Sequence, residues 1–440
     1  MSNQDYAELL FFPNISIYFF IFVIITTGYL ITFKNNIYSW LDPFLLGILF
    51  SSAGLTTVFF LYSMGQINDN YFLQTLLSQL MLMIGYKTLS RNEKILKYSG
   101  GETYSSPKIE GSMPAVFVVT SLLFILAQSS TYIVLGIPLL MDNRLMIYQS
   151  GGFGIFGRIV DVAFVISFYT FLDMKLRFRI KRLGELYSYL YVLFLIASLV
   201  LNGSKSGILN LVFIVGVFCY INNLKFGLQL LNKYSKVSKK LLLIAIVAMF
   251  VILMANYGVF SDGNYSRIFD LFGVIFLRIF NSGDIYVLSY PNDALFNITN
   301  HYNGVVALFK DTLATFRFIT PAEMPPPLGN VAFNIYSDTE IGGANARQSL
   351  FGYYYFGFFG SLIFSFFIGM VMSFVRHILP RMKKATPLSM GVVCYFILNY
   401  SFLDIDPSYQ FSKITNFLIV VPTIIFIMFF ITKRNSRSNV

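Results

Sequence analysis

The chain has little charge, almost no cysteine or histidine, and a single tryptophan. Two cysteines and two histidines in 440 residues leave no material for a disulfide framework, a CxxC pair or a His/Cys metal cluster. Cys219 and Cys394 both sit inside apolar runs. Charged residues make up 12% of the chain, about half of the roughly 25% typical of soluble domains. Acidic residues are the scarcer sign, 21 against 32 Lys and Arg. Apolar side chains fill the gap: 56% of residues are hydrophobic, including 49 Phe. No soluble interior of this size holds that inventory, so lipid must be part of the solvent. The first apolar run, near Ile15, follows Asp5 and Glu8 without a basic n-region, which argues against a cleaved signal.

Apolar segments lie at about 15–33, 43–62, 71–87, 114–137, 155–173, 186–202, 206–222, 241–259, 349–373, 387–403 and 416–432. Each is near the roughly 20 residues a helix needs to cross the hydrocarbon, and helices satisfy their own backbone there. The expected fold is an all-α polytopic membrane protein with about eleven transmembrane helices. Gln74, Ser78 and Gln79 make the third segment the weakest. Most basic residues cluster in alternate loops, such as Lys87 to Lys108, Lys175 to Arg182, Lys225 to Lys240 and Arg376 to Lys384. That alternation predicts a cytoplasmic location for these loops, with the amino terminus outside and the carboxyl terminus inside. It also accounts for the net charge of +11 without nucleic acid, which needs one contiguous basic surface.

Nine basic residues fall outside this rule: Arg144, Arg158, Lys205, Arg267, Arg278, Lys310, Arg317, Arg347 and Lys413. Five of them lie in a long external segment, 260–347, that separates eight helices (1–259) from the last three and the tail (348–440). A connection of that length is usually functional. Its stretch 266–280 is apolar and too short to span, so an interfacial helix is expected, with Arg267 and Arg278 on one face. Gly152-Phe-Gly-Ile-Phe-Gly157 matches GxGxxG but lacks a preceding strand, which removes the nucleotide reading. Arg158 and Asp161, spaced i,i+3, are expected to pair. Lys413 is placed on the last short outer loop. His301 and His377 fall on opposite sides of the membrane and cannot share a metal.

Three stretches carry a resemblance. Leu201-Asn-Gly-Ser-Lys-Ser-Gly-Ile-Leu-Asn210 resembles the Ser-Arg-Gly corner of O-antigen polymerases and ligases, with Lys205 in place of arginine. Arg278-Ile-Phe-Asn-Ser-Gly-Asp284 is similar to an Arg…Gly-Asp pattern of repeat-unit polymerases. Gly329-Asn-Val-Ala-Phe-Asn-Ile-Tyr-Ser-Asp338, followed by Gly352-Tyr-Tyr-Tyr-Phe-Gly-Phe-Phe-Gly360, looks like the Asn-x-x-Phe…Gly-x-x-Gly approach to a late span in Wzy-type polymerases. The ligase's external His-Asn pair is absent, which favours polymerase.

The resemblance implies a fold of the GT-C-like class of membrane glycosyltransferases. It implies transfer of a glycan from one undecaprenyl-diphosphate carrier to a sugar hydroxyl on another, at the periplasmic face of a bacterial inner membrane. Implied partners are that lipid-linked oligosaccharide, membrane lipid, a chain-length regulator and a flippase. No cofactor or metal is implied, so cations must stabilise the lipid diphosphate leaving group. Arg278 and Arg347, with the carboxylates Glu340 and Asp338, are the catalytic candidates. Lys205, Arg317, Arg267, Asn330, Asp284 and Tyr353 are candidates for substrate binding. The rival readings are a lipid-linked oligosaccharide flippase, which is expected to show short loops and internal repeats, and an O-antigen ligase.

Overall fold

The computed structural model describes residues 2–90, 107–141, 154–177, 182–203, 205–228, 230, 281–298, 302–336, 343–382 and 385–437. All regular structure among them is helical. The longer helices are α1 (Ile15–Phe33), α2 (Pro43–Ser63), α3 (Asp69–Leu89), α4 (Pro107–Leu135), α5 (Gly154–Arg177), α6 (Arg182–Leu201) and α7 (Lys205–Phe226). After them come α8 (Asp284–Ser289), α9 (Gly304–Thr315), α10 (Leu328–Asn334), α11 (Gln348–Ser373), α12 (Pro387–Tyr400) and α13 (Pro407–Arg437). Proline at the first helical turn fixes several starts. Asp42 accepts from the Phe44 N–H at 2.9 Å ahead of α2, and Thr386 forms a capping box with Ser389 ahead of α12.

Among the described residues, eight helices are long and apolar enough to cross a membrane, and the protein is an all-α, multi-pass membrane protein. Their outward stripes explain why. On α6, Leu186, Tyr189, Leu190, Leu193, Ile196 and Val200 are all exposed, a continuous apolar face that water does not tolerate. The weak third segment is a helix turned inside out. Leu73, Leu77, Leu80 and Ile84 face outward while Gln74, Thr75, Ser78 and Gln79 are buried, as expected where lipid rather than water surrounds the bundle. α3 packs on α11 through bare backbone: a Cβ on Gly85 would lie 2.0 Å from the Phe366 carbonyl oxygen, and one on Gly369 2.1 Å from that of Leu82. The segment expected at 241–259 lies outside the described residues.

Two elements depart from simple crossings. The helical run Gln348–Ser373 breaks at Gly357 (φ 71°, ψ −172°), a conformation essentially reserved for glycine. The arms on either side fold back on each other. A Cβ on Gly352 would lie 3.0 Å from the Ser361 Cα, whereas nine residues of straight helix span about 13 Å. Phe351 stacks on Phe364 at 5.5 Å, and Ser365 donates to Gln348 at 3.5 Å. Residues 348–356 are therefore a re-entrant arm, and only the part after Gly357 crosses. The second departure is α12, whose 14 residues reach about 21 Å, short of the ~30 Å hydrocarbon. The turn after it stays inside the bundle. Leu403 and Asp404 are buried, and the Ser401 carbonyl oxygen lies 2.5 Å from where a Cβ on Gly47 would sit.

Ion pairs tie the helices together. Arg376 grips both carboxylate oxygens of Asp42, at 3.0 and 2.8 Å, and lies 4.3 Å over the Phe44 ring. The expected Arg158–Asp161 pair does not form. Arg158 instead holds both oxygens of Asp311 on α9, at 2.9 and 2.8 Å. Asp161 accepts from Lys413 at 2.9 Å, from Asn416 at 2.8 Å and from Tyr395 at 2.7 Å. Each charge finds its partner on another helix because α5 is flanked by α9, α12 and α13. Lys413 is thus a buried residue within α13, not a loop residue.

Candidate functional site

The helix ends carrying Lys34, Lys87, Lys175, Arg177 and Lys225 define a basic face. The re-entrant arm begins deep in the bundle and rises to Gly357 at the opposite face, with Arg347 at its foot. Arg347 is 2% exposed. Its Nε donates to the Ser282 carbonyl at 2.9 Å and its Nη2 to the Phe50 carbonyl at 3.0 Å. Both acceptors are neutral. Phe50 and Gly54 lie mid-helix on α2, and the missing side chain at Gly54 lets the guanidinium lie on the backbone, 3.3 Å from where a Cβ would stand. The third nitrogen, Nη1, is buried and has no hydrogen-bond partner among the described residues. Arg158, Arg177, Arg376 and Lys413 each hold a carboxylate within 3 Å; Arg347 holds none among the described residues.

Three carboxyls surround this cation. Asp404 accepts from Ser51 through one oxygen, while its Oδ1 has no partner among the described residues. Its backbone carbonyl accepts from the Gln348 N–H at 3.0 Å, fixing the foot of the arm. Burial pushes the Asp404 carboxyl above its ordinary range, opposed by Arg347 and Ser51. Asp284 opens α8 and keeps part of its surface open. Burial pushes its carboxyl up to about 7, opposed by Arg347 and by backbone N–H groups. Asp406 caps α13 by accepting from the Tyr409 N–H at 3.1 Å, and burial pushes it up to about 6. Beside it Lys310 on α9 donates to the Pro325 carbonyl at 3.1 Å, and burial brings its amine down to about 8. The result is one cation with, among the described residues, an unused donor, beside three carboxyls that burial raises above their ordinary range. Such a set can hold an anion and move a proton.

α8 and the re-entrant arm run side by side away from this point. Ser282 meets Arg347, Tyr286 meets Ser349 at 2.6 Å, and Phe296 meets Tyr353 at 5.1 Å. Gln74 braces both, donating to the Ser349 carbonyl at 2.9 Å and accepting from the Tyr290 hydroxyl at 3.2 Å. Charged groups therefore sit at the deep ends of the pair and aromatic rings at the outer ends.

Of the residues singled out by sequence, Arg347 and Asp284 come together here. Asn330 lies on α10, packed against Gly343 in the strand of chain leading to Arg347. Tyr353 is half-buried among the outer rings. Arg317 stands apart, exposed at the end of α9 with φ 59°. Lys205 opens α7, but its side chain, together with Arg267, Arg278, Asp338, Glu340 and the stretch 266–280, lies outside the described residues. Sequence reasoning missed Asp404, Asp406 and Ser51, and it gave Lys310 no role. The available signal was Asp404-Ile-Asp-Pro407, an acidic pair between two apolar runs in an acid-poor chain. No known protein family, characterised protein or solved structure matches this chain.

Proposed function

We propose that the chain is a membrane glycosyltransferase that polymerises oligosaccharide repeat units carried on a lipid diphosphate, as Wzy-type polymerases do. The observation that supports this most is Arg347, a buried cation with neutral acceptors and, among the described residues, an unused N–H, at the foot of an arm that rises away from the basic face. Taken with the charge rule for loops, the face opposite the basic one is the periplasmic face of a bacterial inner membrane. In the proposed step the bond between the sugar's anomeric carbon and the diphosphate oxygen breaks. A new bond forms from that carbon to an acceptor hydroxyl oxygen. Arg347 stabilises the charge gathering on the departing diphosphate, and Asp284, ionised above about 7, takes the hydroxyl proton.

Removing the gene should leave single repeats without a polymer ladder. Arg347→Ala, at normal membrane level, should not restore the ladder, and Arg347→Lys should restore little of it, because an ammonium lacks the planar fork that reaches the Ser282 and Phe50 carbonyls while presenting a further N–H. A full ladder from Arg347→Ala refutes the assignment. The second reading, a flippase for the same lipid-linked sugar, is favoured by the buried, titratable Asp404 and Asp284 beside an arginine. It predicts repeats trapped on the cytoplasmic side, where polymerase loss leaves them on the periplasmic side.

A further inference from the structure

We propose that Phe296, Tyr353 and Tyr354 form a saccharide-binding platform at the outer ends of α8 and the re-entrant arm; its assignment to the growing glycan rests on the polymerase reading above. The three rings are partly open and adjoin one another, with centroids 5.1 Å apart for Phe296 and Tyr353 and 6.1 Å for Phe296 and Tyr354. They stand on a rigid floor. Tyr71 stacks on Tyr290 at 4.5 Å and 12°, and on Phe296 at 5.2 Å and 24°, while Tyr353 meets Tyr71 edge-on at 5.9 Å. Phe296 is thus held in place before any ligand arrives, which lowers the ordering cost of binding.

A polar rim borders the rings. Asn292, Asp293 and Asn297 are exposed on one tight turn. Asn292 and Asp293 adopt φ of 57° and 54°, two successive left-handed residues of a kind that concentrates at binding sites. The Asp293 carboxylate accepts from the Tyr71 hydroxyl, and Asn297 donates to the Asn292 carbonyl at 3.2 Å, so the rim is tied to the floor. A pyranose offers an apolar C–H face and a ring of hydroxyls, and this surface offers aromatic faces beside amide and carboxylate groups. Tyrosines of a lipid-interface belt point their hydroxyls at headgroups. Here the carboxylate of Asp293 repels anionic headgroups, and the uncharged hydroxyls of a sugar meet no such penalty.

Placement completes the argument. Tyr353 lies six residues along the arm from Arg347, about 9 Å at 1.5 Å per residue. Tyr290 lies six residues along α8 from Asp284, the same rise. A ligand with its charged group at Arg347 therefore lays its sugars across these rings. The occupant is the glycan part of a lipid-linked oligosaccharide.

The test uses the full chain in nanodiscs. The probe is a set of oligosaccharides of one to four repeats, released by mild acid from the surface polysaccharide of the cell that makes this protein. Binding is read by saturation-transfer NMR and titration. Tyr354→Ala and Phe296→Ala should each weaken binding about tenfold, Tyr354→Trp should retain it, and Gly28→Ala, in open space on α1, should leave it within about twofold. Asn297→Ala, on the exposed rim, should also weaken binding. Equal affinity of wild type, Tyr354→Ala and Asn297→Ala overturns the platform, as does a wild type that binds no length of oligosaccharide. The polymerase reading fails separately: a chain that binds sugar through these rings, yet whose deletion leaves the polymer ladder intact, keeps the platform and loses the polymerase.

Discussion

Replacing Lys413 by alanine should cost the folded chain about 2–4 kcal/mol. Breaking a buried ion pair by removing one partner typically costs ~3–5 kcal/mol, because the other charge is stranded. Two features of this pair lower that figure. The Asp161 side chain is 26% exposed against 7% for Lys413, so water reaches part of the stranded carboxylate. Asp161 also keeps Tyr395 and Asn416 as donors. Lys413→Met combined with Asp161→Asn removes both charges and fills both volumes, so it should lie closer to wild type than either single change. The coupling between the two positions should then be about 1–3 kcal/mol. Equilibrium unfolding of the detergent-solubilised protein by SDS titration gives all four free energies. A coupling below about 0.5 kcal/mol, or Lys413→Ala indistinguishable from wild type, would show that the pair does not hold α5 to α13.

Gly369→Val should prise α3 from α11 and destabilise by about 1–3 kcal/mol or more, since even its Cβ meets the Leu82 carbonyl oxygen at 2.1 Å; Gly28→Ala, with nothing within 4 Å, should be neutral or slightly stabilising, and thermal midpoints in detergent compare the two. The raised Asp284 carboxyl means that between about 4 and about 7 the folded chain holds a proton that the unfolded chain has released. Its stability penalty is absent below that window, grows as pH rises through it and is complete above. Asp284→Asn should therefore flatten the loss of thermal stability between pH 5 and pH 8 and gain about 1–3 kcal/mol at pH 8, less than the full shift because part of the side chain meets water; an unchanged slope refutes the burial of this carboxyl.

How much of this was legible in the sequence depends on the range of the interaction concerned. Helices and lipid exposure follow from local composition, so segments such as 43–62 and 155–173 agree with α2 and α5 to within a few residues. Even the inverted α3 is readable afterwards, because Gln74, Ser78 and Gln79 share one face. Partner choice is not local. Asp161 has Arg158 three residues away yet pairs with Lys413, 252 positions later, and no spacing rule sees that. The re-entrant arm was hidden for a related reason. Residues 349–373 read as one apolar span, and the turn at Gly357 is one glycine among several in Gly352-Tyr-Tyr-Tyr-Phe-Gly-Phe-Phe-Gly360. Arg347 and Asp284 were singled out by resemblance, while Asp404 and Asp406 lay in a turn that hydropathy treats as a mere connection.

The Arg347 pocket has a consequence for how the protein is made. Its walls come from Phe50, Ser282 and Asp404, so the guanidinium meets a partner 297 positions upstream and a chain turn that is synthesised after it. Contacts so distant in sequence close late, after the local helices have formed. While the ribosome still holds the last helix, Arg347 has no Asp404 beside it. A chain cut short before residue 404 can insert most of its helices and still hold nothing at the foot of the arm. The surroundings of Arg347 are thus complete only when the final hairpin docks, and their completion marks the end of assembly.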